Sequence, residues 1–338
     1  MTQVLPGDGN AIAEAARLLQ AGQVVGMPTE TVYGLAANAL DEDAVRRIFE
    51  AKGRPQDNPL IVHIGGMEML PMVAREISCE AQALAQAFWP GPLTLVLPKA
   101  GAIPAVVSAG LDTVGVRMPA HPVALALIAQ AGVPLAAPSA NRSGGPSPTQ
   151  VAHVQKDLDG RIPLVVDGGR CPVGVESTVL ALGEKPLVLR PGFVTAGEIA
   201  QVLGRPVEVA GQKAAFSDGQ TPQSPGMKYQ HYAPKAQLTL LEGGFEKYAE
   251  YVAEKAGKIA GVYALCFDGE AEKLAAPAVC YGRAGDAASQ AAGLYAALRT
   301  LDERGAQAAF ARVDEKTGVG QAVYNRLLRA ANFRVIYL

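Results

Sequence analysis

The chain is expected to fold as two α/β units, a larger one on a mixed sheet and a smaller one on a parallel sheet. Three observations lead there. Short apolar runs alternate with helical patterns from residue 1 to about 210. An aperiodic stretch rich in Gly, Pro, Ser and Gln follows at 211–236. Strand and helix patterns alternate again over 237–338, which favours a small parallel sheet. A length of 338 residues suits two domains, each burying a core. With 49% hydrophobic and 18% charged residues the chain reads as globular rather than disordered.

Residues 23–27 read as a strand. Residues 41–52 read as a helix: Asp41, Glu42 and Asp43 favour its N-terminus, Val45, Ile48 and Phe49 form one stripe, and Gly53 ends it. Strand 60–64, helix 78–88 and strand 93–97 follow, then extended segments at 113–117, 135–137, 164–166, 178–182 and 187–189. Thr195 with Glu198 matches a capping box for a helix ending near Leu203. The apolar run 123–140 is broken by Gln130, Gly132 and Pro134, so it reads as helix, turn and strand and not as a membrane span. Many strands with interspersed helices leave the first unit α/β or α+β. In the second, 259–265 and 308–313 read as strands and 286–303 and 321–331 as helices.

Several function classes are disfavoured. A net charge of −2 gives no general attraction to nucleic acid or to an anionic membrane, so any polyanion must be held by a local cluster. The N-terminus has no basic start followed by an apolar core and does not read as a signal peptide. Cys79, Cys171, Cys266 and Cys280 are scattered without a CxxC pair, so four buried thiols in a cytoplasmic protein are expected, with neither zinc nor disulfides. His63, His121, His153 and His231 also lack metal-ligand spacing. No GxxxxGK[ST] or GxSxG motif occurs.

What remains is a set of polar groups next to apolar strands. Pro28 opens a turn carrying Thr29, Glu30, Thr31 and Tyr33. Lys52 stands at a helix end, where it complements the dipole or offers a phosphate contact. Arg54, past that end and before Pro55, is held extended with a fork suited to two phosphate oxygens. APSANRSGGPSPT (137–149) brings Ser139, Asn141, Ser143 and Ser147 near two glycines, with Thr149 as the expected cap of the next helix; it is a phosphate cradle or an ordinary polar loop. TVGVRM puts Thr113 and Arg117 on one face of a strand, where Arg117 meets a ligand anion or a structural salt bridge. His63 sits mid-strand, Glu176-Ser177-Thr178 follows a glycine turn, and Arg190 ends the strand of LVLRPG.

In order and spacing, PTETVYGL, KGRPQDNPLIVHI, GVRMP, APSANRSG with SPT, GVESTVL and LRPG resemble the threonylcarbamoyl-AMP synthase family. The likeness covers a YrdC-type domain at about 10–205, and SPGMKYQHYAP with the C-terminal unit resembles the long form. It implies a YrdC-type twisted mixed sheet with helices around a central cavity over 1–210, a linker and active-site lid over 211–236, and a smaller C-terminal α/β (Rossmann-like) domain over 237–338. It also implies a reaction: L-threonine, bicarbonate or CO2 and ATP, with Mg2+, give threonylcarbamoyl-adenylate and pyrophosphate. The adenylate then feeds tRNA t6A modification, so tRNA is met only indirectly, through a partner transferase. By the same resemblance Lys52 and Arg54 are the catalytic cations, and Thr31, His63, Arg117, Ala137 and Ser177 bind threonine. Arg54, Asn58, Thr113, Ser139, Asn141, Ser147, Arg190 and Tyr232 bind ATP. Gln230 departs from the Arg usual in that linker. The rivals are a double-stranded-RNA-binding module without chemistry, disfavoured by the charge, and a carbamoyl-phosphate-dependent adenylate enzyme, disfavoured by the lack of accessory zinc-finger and acylphosphatase-like segments.

Overall fold

The structure is a computed structural model that describes residues 1–211, 231–314 and 316–338. It divides into two compact units. The first takes Met1–Ser143, Pro148–Pro172 and the described residues from Glu176 to Gly211. The second takes Gly144–Ser147, Val173–Val175 and the described residues from His231 on.

The first unit carries a mixed sheet of β1 (Gln3–Pro6), β2 (Val25–Met27), β3 (Gly34–Asn38), β4 (Ile61–His63), β5 (Leu93–Pro98), β6 (Thr113–Arg117), β7 (Leu135–Ala136), β8 (Leu164–Asp167), β9 (Thr178–Ala181), β10 (Leu187–Arg190) and β11 (Glu208–Val209). Their spatial order is β1-β8-β2-β3-β7-β4-β6-β5-β9-β10-β11. The centre matters most for function. There β4 and β6 run parallel with His63 paired to Arg117, β7 lies antiparallel to β4, and β5 is flanked by antiparallel β6 and parallel β9.

Helices cover this sheet by apolar stripes. The Gly9–Gln20 helix buries Ala15, Ala16 and Leu19, and the Glu42–Lys52 helix buries Val45, Ile48 and Phe49. Each fully buried Leu, Ile or Phe contributes about 1.5–3 kcal/mol. The second of these helices starts where the Asp41 carboxylate accepts the N–H groups of Asp43 and Ala44. It stops at Gly53, whose φ of +61° an L side chain adopts only with strain. That stop turns the chain sharply and sends Lys52 and Arg54 in different directions.

The second unit is a parallel sheet of β12 (Gln237–Glu242), β13 (Val262–Cys266), β14 (Ala278–Cys280), β15 (Ala308–Arg312) and β16 (Val335–Tyr337), in the order β14-β13-β15-β12-β16. Counted from its own first strand this is 3-2-4-1-5, whereas the classic Rossmann order is 3-2-1-4-5-6. The unit is thus Rossmann-like in its parallel α/β layering and not in its strand order. Leu241, Tyr248, Val252 and Phe310 lie in its core.

Several expectations are corrected. The helix after the Ser/Gly loop starts at Val151 with Gln150 as its cap residue, so Thr149 does not cap it. Only Cys171 and Cys266 are buried thiols; Cys79 and Cys280 are exposed, because one lies on the outer first turn of the Cys79–Phe88 helix and the other ends an edge strand. The strand placed at 259–265 begins at Val262, since Ile259 is exposed. The capping box of Thr195 and Glu198 is present. Lys228, Tyr229 and Gln230 of the linker lie outside the described residues. No described helix is long and apolar enough to cross a membrane.

Candidate active site

Arg117 ends β6 at 4% exposure, with its fork held from three sides. Its Nε–H donates to Gly91 O at 3.2 Å and Nη1 donates to Thr31 Oγ1 at 2.9 Å. Its Nη2 lies 2.6 Å from Glu30 Oε1, an ion pair not aligned as a hydrogen bond. Thr31 itself lies 2.8 Å from the Thr29 hydroxyl, which donates to Val32 O. The β2–β3 turn thus folds on its own hydroxyls and presents Thr31 and Glu30 to β6. The structural alternative for Arg117, a buried salt bridge, is therefore realised in part, with Glu30 as partner. His63, the register neighbour of Arg117, is buried, and burial followed by the Arg117 charge pulls its pKa down to about 3. It is a neutral imidazole at neutral pH.

A second group forms one strand over. Ser177 Oγ lies 2.8 Å from Thr94 Oγ1, both buried. Arg190 donates to Ser177 O through Nε at 3.2 Å and Nη2 at 3.0 Å, and to Ser177 Oγ at 3.2 Å. The two groups meet at one turn: Gly91 O receives Arg117, and Pro92 O accepts the Thr178 N–H at 2.9 Å. Arg190 thus stands with Ser177, although the resemblance assigned one to ATP and the other to threonine.

The third group is the loop after β7. Lys52, 2% exposed, donates through Nζ to Ser139 O and, at 2.6 Å, to Asn141 O. Burial, helped by the Arg54 charge, pulls its pKa well below the ordinary lysine value, with Asp157 acting in the opposite sense. Two of its three donor directions therefore shape the loop. Ser139 Oγ donates to Asn141 Oδ1 at 2.5 Å, and Asn141 Nδ2 donates to Arg142 O at 2.7 Å. The loop is tied to the rest by Leu35 N–H to Pro138 O, Ala140 N–H to Tyr33 O and Ala137 N–H to Ile61 O. Arg54, half-buried, donates through Nη2 to Asn58 O and Pro59 O, both at 3.4 Å. Asn58 is 1% exposed and its Oδ1 accepts no hydrogen bond.

Thr113 opens β6 and Arg117 closes it, so they lie about 13 Å apart on one face. Arg54 and Asn58 precede β4, which runs parallel to β6. They thus lie towards the Thr113 end, while His63 and Arg117 share the other. Ser147 and Tyr232 belong to the second unit. There Tyr232 is buried, with ring centroids 5.4 Å from Tyr295 and the Arg326 guanidinium 5.6 Å away. Tyr33 is a strut rather than a ligand: its hydroxyl donates to Gly169 O and accepts the Gly168 N–H.

One residue escaped the sequence reading, and another was named there without a role. Glu30 stood with Thr29, Thr31 and Tyr33 among the candidate polar groups of the turn. Thr94 was missed although it is the one polar residue in LTLVL, a buried strand segment. No group of three or more His, Cys, Asp or Glu side chains able to hold a metal occurs among the described residues.

A family model described as "Telomere recombination" matches residues 17–192, and one described as "Threonylcarbamoyl-AMP synthase, C-terminal domain" matches residues 194–332. The chain is 48% identical to a threonylcarbamoyl-AMP synthase of Bacillus subtilis, covering 99% of this chain and 97% of that protein. It is 47% identical to one of Pyrococcus abyssi over 95% of this chain and 94% of the relative. The crystal structure of P. abyssi Sua5 complexed with L-threonine superposes with a TM-score of 0.91 at 45% identity, covering 97% of this chain and 96% of that one. A double variant of the same protein gives 0.93 at 43% identity, covering 100% of this chain and 98% of that one.

Proposed function

Because the chain belongs to the threonylcarbamoyl-AMP synthase family, we propose that it joins L-threonine, bicarbonate-derived CO2 and ATP into L-threonylcarbamoyladenylate, releasing pyrophosphate. The adenylate then serves tRNA t6A modification through a transferase partner, and four free cysteines suit a cytoplasmic home. One observation carries the reading at the level of residues. Arg117, Thr31 and His63 gather at one end of β4 and β6, Ser177, Thr94 and Arg190 join them across the Gly91–Pro92 turn, and Arg54 and Asn58 precede β4 at the other end.

In this arrangement the Arg117 fork grips the α-carboxylate of threonine. The Thr31 and Ser177 hydroxyls and neutral His63 line the rest of the amino acid, close to the backbone of Ala137. Arg54, Asn58 and Thr113 take the nucleotide end. Lys52 fixes the Ser139–Asn141 loop, whose hydroxyl and N–H groups face phosphate oxygens. The amine attacks CO2, and a carbamate oxygen then attacks the α-phosphorus of ATP. No covalent protein intermediate is needed, so catalysis is positioning plus charge stabilisation. Mg2+ would come with ATP, held mainly by its phosphates, and would offset their charge.

An assay of pyrophosphate release tests this. Release should require ATP, L-threonine and bicarbonate together, and serine should not replace threonine efficiently. Equal release with threonine or bicarbonate left out would reject the assignment.

A further inference from the structure

Glu30 lies on the β2–β3 turn at 6% exposure, and neither of its carboxylate oxygens accepts a hydrogen bond. A carboxylate offers about four acceptor positions, and leaving them unfilled in a buried place is costly. Among the described residues its ion-pair partner is Arg117, with Nη2 at 2.6 Å. The other two anchored donors of that guanidinium already have neutral acceptors in Thr31 and Gly91. Glu30 therefore carries unused acceptor capacity against the guanidinium assigned above to the α-carboxylate of threonine. In an α-amino acid the ammonium stands one carbon from that carboxylate. Whatever else touches the guanidinium lies within a few ångströms of it.

We propose that Glu30 receives the α-ammonium of the bound amino acid and takes a proton from it, which makes the amine that becomes carboxylated. The inference rests on Arg117 holding the carboxylate. Charge balance supports it. Glu30 and Arg117 sum to zero, and a zwitterion adds nothing. Passing a proton from ammonium to Glu30 keeps the sum at zero. As the substrate carboxylate becomes the partner of Arg117, Glu30 is released from that role. In a low dielectric, exchanging an ammonium–carboxylate pair for amine and carboxylic acid is aided by desolvation.

The proton balance closes. An N–H bond breaks, its pair stays on nitrogen, and an O–H bond forms on Glu30. Glu30 then gives this proton to the hydroxyl of bicarbonate, whose C–O bond breaks to leave water and CO2, so the carboxylate is restored. The amine pair forms the N–C bond, a C=O pair moves to oxygen, and the second proton leaves to water. The sum is ammonium plus bicarbonate giving carbamate, water and one proton.

The groups whose charges act around Glu30 are Arg117 on β6, His121 ahead of the Pro122–Ala131 helix, and Cys171 in the loop that follows β8. His121 and Cys171 stay in place in the variants used here. The experiment measures threonine-dependent pyrophosphate release by the full-length chain, as wild type, Glu30→Gln and Arg117→Gln, from pH 7 to 9.5, with ATP KM and a thermal melt as controls. Glu30→Gln should keep the ATP KM and a cooperative melt, at a lowered midpoint because Arg117 loses its buried partner. Its kcat/KM for threonine should fall about a hundredfold at pH 7 and recover about tenfold per pH unit as solution supplies free amine. Unchanged kcat/KM, or a deficit constant across pH, overturns the proposal; the second result would leave Glu30 a positioning residue for Arg117. If Arg117→Gln leaves the threonine KM unchanged, the underlying assignment of Arg117 fails and the inference with it. A loss in Arg117→Gln beside a normal Glu30→Gln overturns the inference alone. Should Glu30→Gln fail to fold, Glu30→Asp decides: a wild-type-shaped pH profile at reduced kcat supports the base, and a profile that climbs with pH rejects it.

Discussion

At the scale of residues, the two cations at the end of the Glu42–Lys52 helix have different partners. Lys52 is buried and turned onto the carbonyls of the Ser139–Asn141 loop. Arg54 donates to the carbonyls of Asn58 and Pro59, and the proposed function gives it the phosphate contact. Replacing Arg54 with Ala should lower threonine-dependent pyrophosphate release by roughly a hundredfold, about 3 kcal/mol of barrier, with the melt unchanged. Near-normal turnover in that variant would remove Arg54 from the chemistry. His63 makes a separate prediction about stability. Its folded-state pKa is about 3, because burial and the neighbouring Arg117 oppose the charged ring. The unfolded chain takes up that proton below about pH 6.5, so between these values the unfolded state binds more protons and stability is lost as pH falls. The slope from this group reaches at most about 1.4 kcal/mol per pH unit. His63→Gln lacks it, so the stability gap between wild type and variant in urea melts should shrink steadily from pH 7 to pH 4.5. Parallel curves would mean that the imidazole is protonated in place.

At the scale of elements, the LRPG segment that ends β10 has a packing reason for its glycine. A Cβ at Gly192 would lie 2.3 Å from Thr178 N and 2.6 Å from Ser177 C, both backbone atoms that cannot swing away. Gly192→Ala should therefore push the Ser177–Thr178 start of β9 aside, cost about 1–3 kcal/mol in stability and raise the threonine KM more than the ATP KM. Equal effects on both substrates would point to general loosening instead. Exposure of the four thiols can be checked in one experiment. Under native conditions Cys79 and Cys280 should react fast with a thiol reagent, while Cys171 and Cys266, both buried and both pushed up to about 12, should wait for unfolding. Fast reaction of Cys171 would contradict the packing behind the β2–β3 turn. The motifs that line this site were legible because each sets a polar or cationic group beside an apolar strand. Thr113 and Arg117 could be put on one face from strand period alone. What was not legible depends on partners far along the chain: Lys52 meets Ser139 across 87 residues and Thr94 meets Ser177 across 83. No local pattern encodes either distance. Glu30 looked like one more turn residue for the same reason, since its partner Arg117 comes from a strand that the sequence does not tie to that turn.

At the scale of the whole molecule, composition shift and periodicity were enough to read a change of character near 211–236 and a parallel α/β unit after it. They could not show that two short pieces of earlier sequence fold with the later unit. Gly144–Ser147 and Val173–Val175 cluster with residues from His231 on. Within that unit Ala233 N–H donates to Gly144 O at 3.0 Å and Arg299 Nη2 donates to Pro146 O at 2.6 Å. A Cβ at Gly174 would fall 2.4 Å from Ala291 O, so that turn lies directly against the Ala287–Glu303 helix. Each borrowed piece continues into a candidate site motif: Gly144 comes three residues after Asn141, and Val175 precedes Glu176 and Ser177. The pieces that fold with the later unit are therefore covalently continuous with the segments carrying Asn141 and Ser177. Ending the chain after Gly211 should free both pieces and lower threonine-dependent pyrophosphate release at least tenfold. Arg299→Ala should do the same more mildly, at about 1–3 kcal/mol for the carbonyl left without its buried donor. The pair of variants separates two explanations. If the truncated chain is inactive and Arg299→Ala is normal, the later unit acts through residues other than these anchors. If both are impaired in threonine kcat/KM while the melt of Arg299→Ala moves only by that small amount, the Gly144–Ser147 anchor is what keeps the Ser139–Asn141 loop in its working shape.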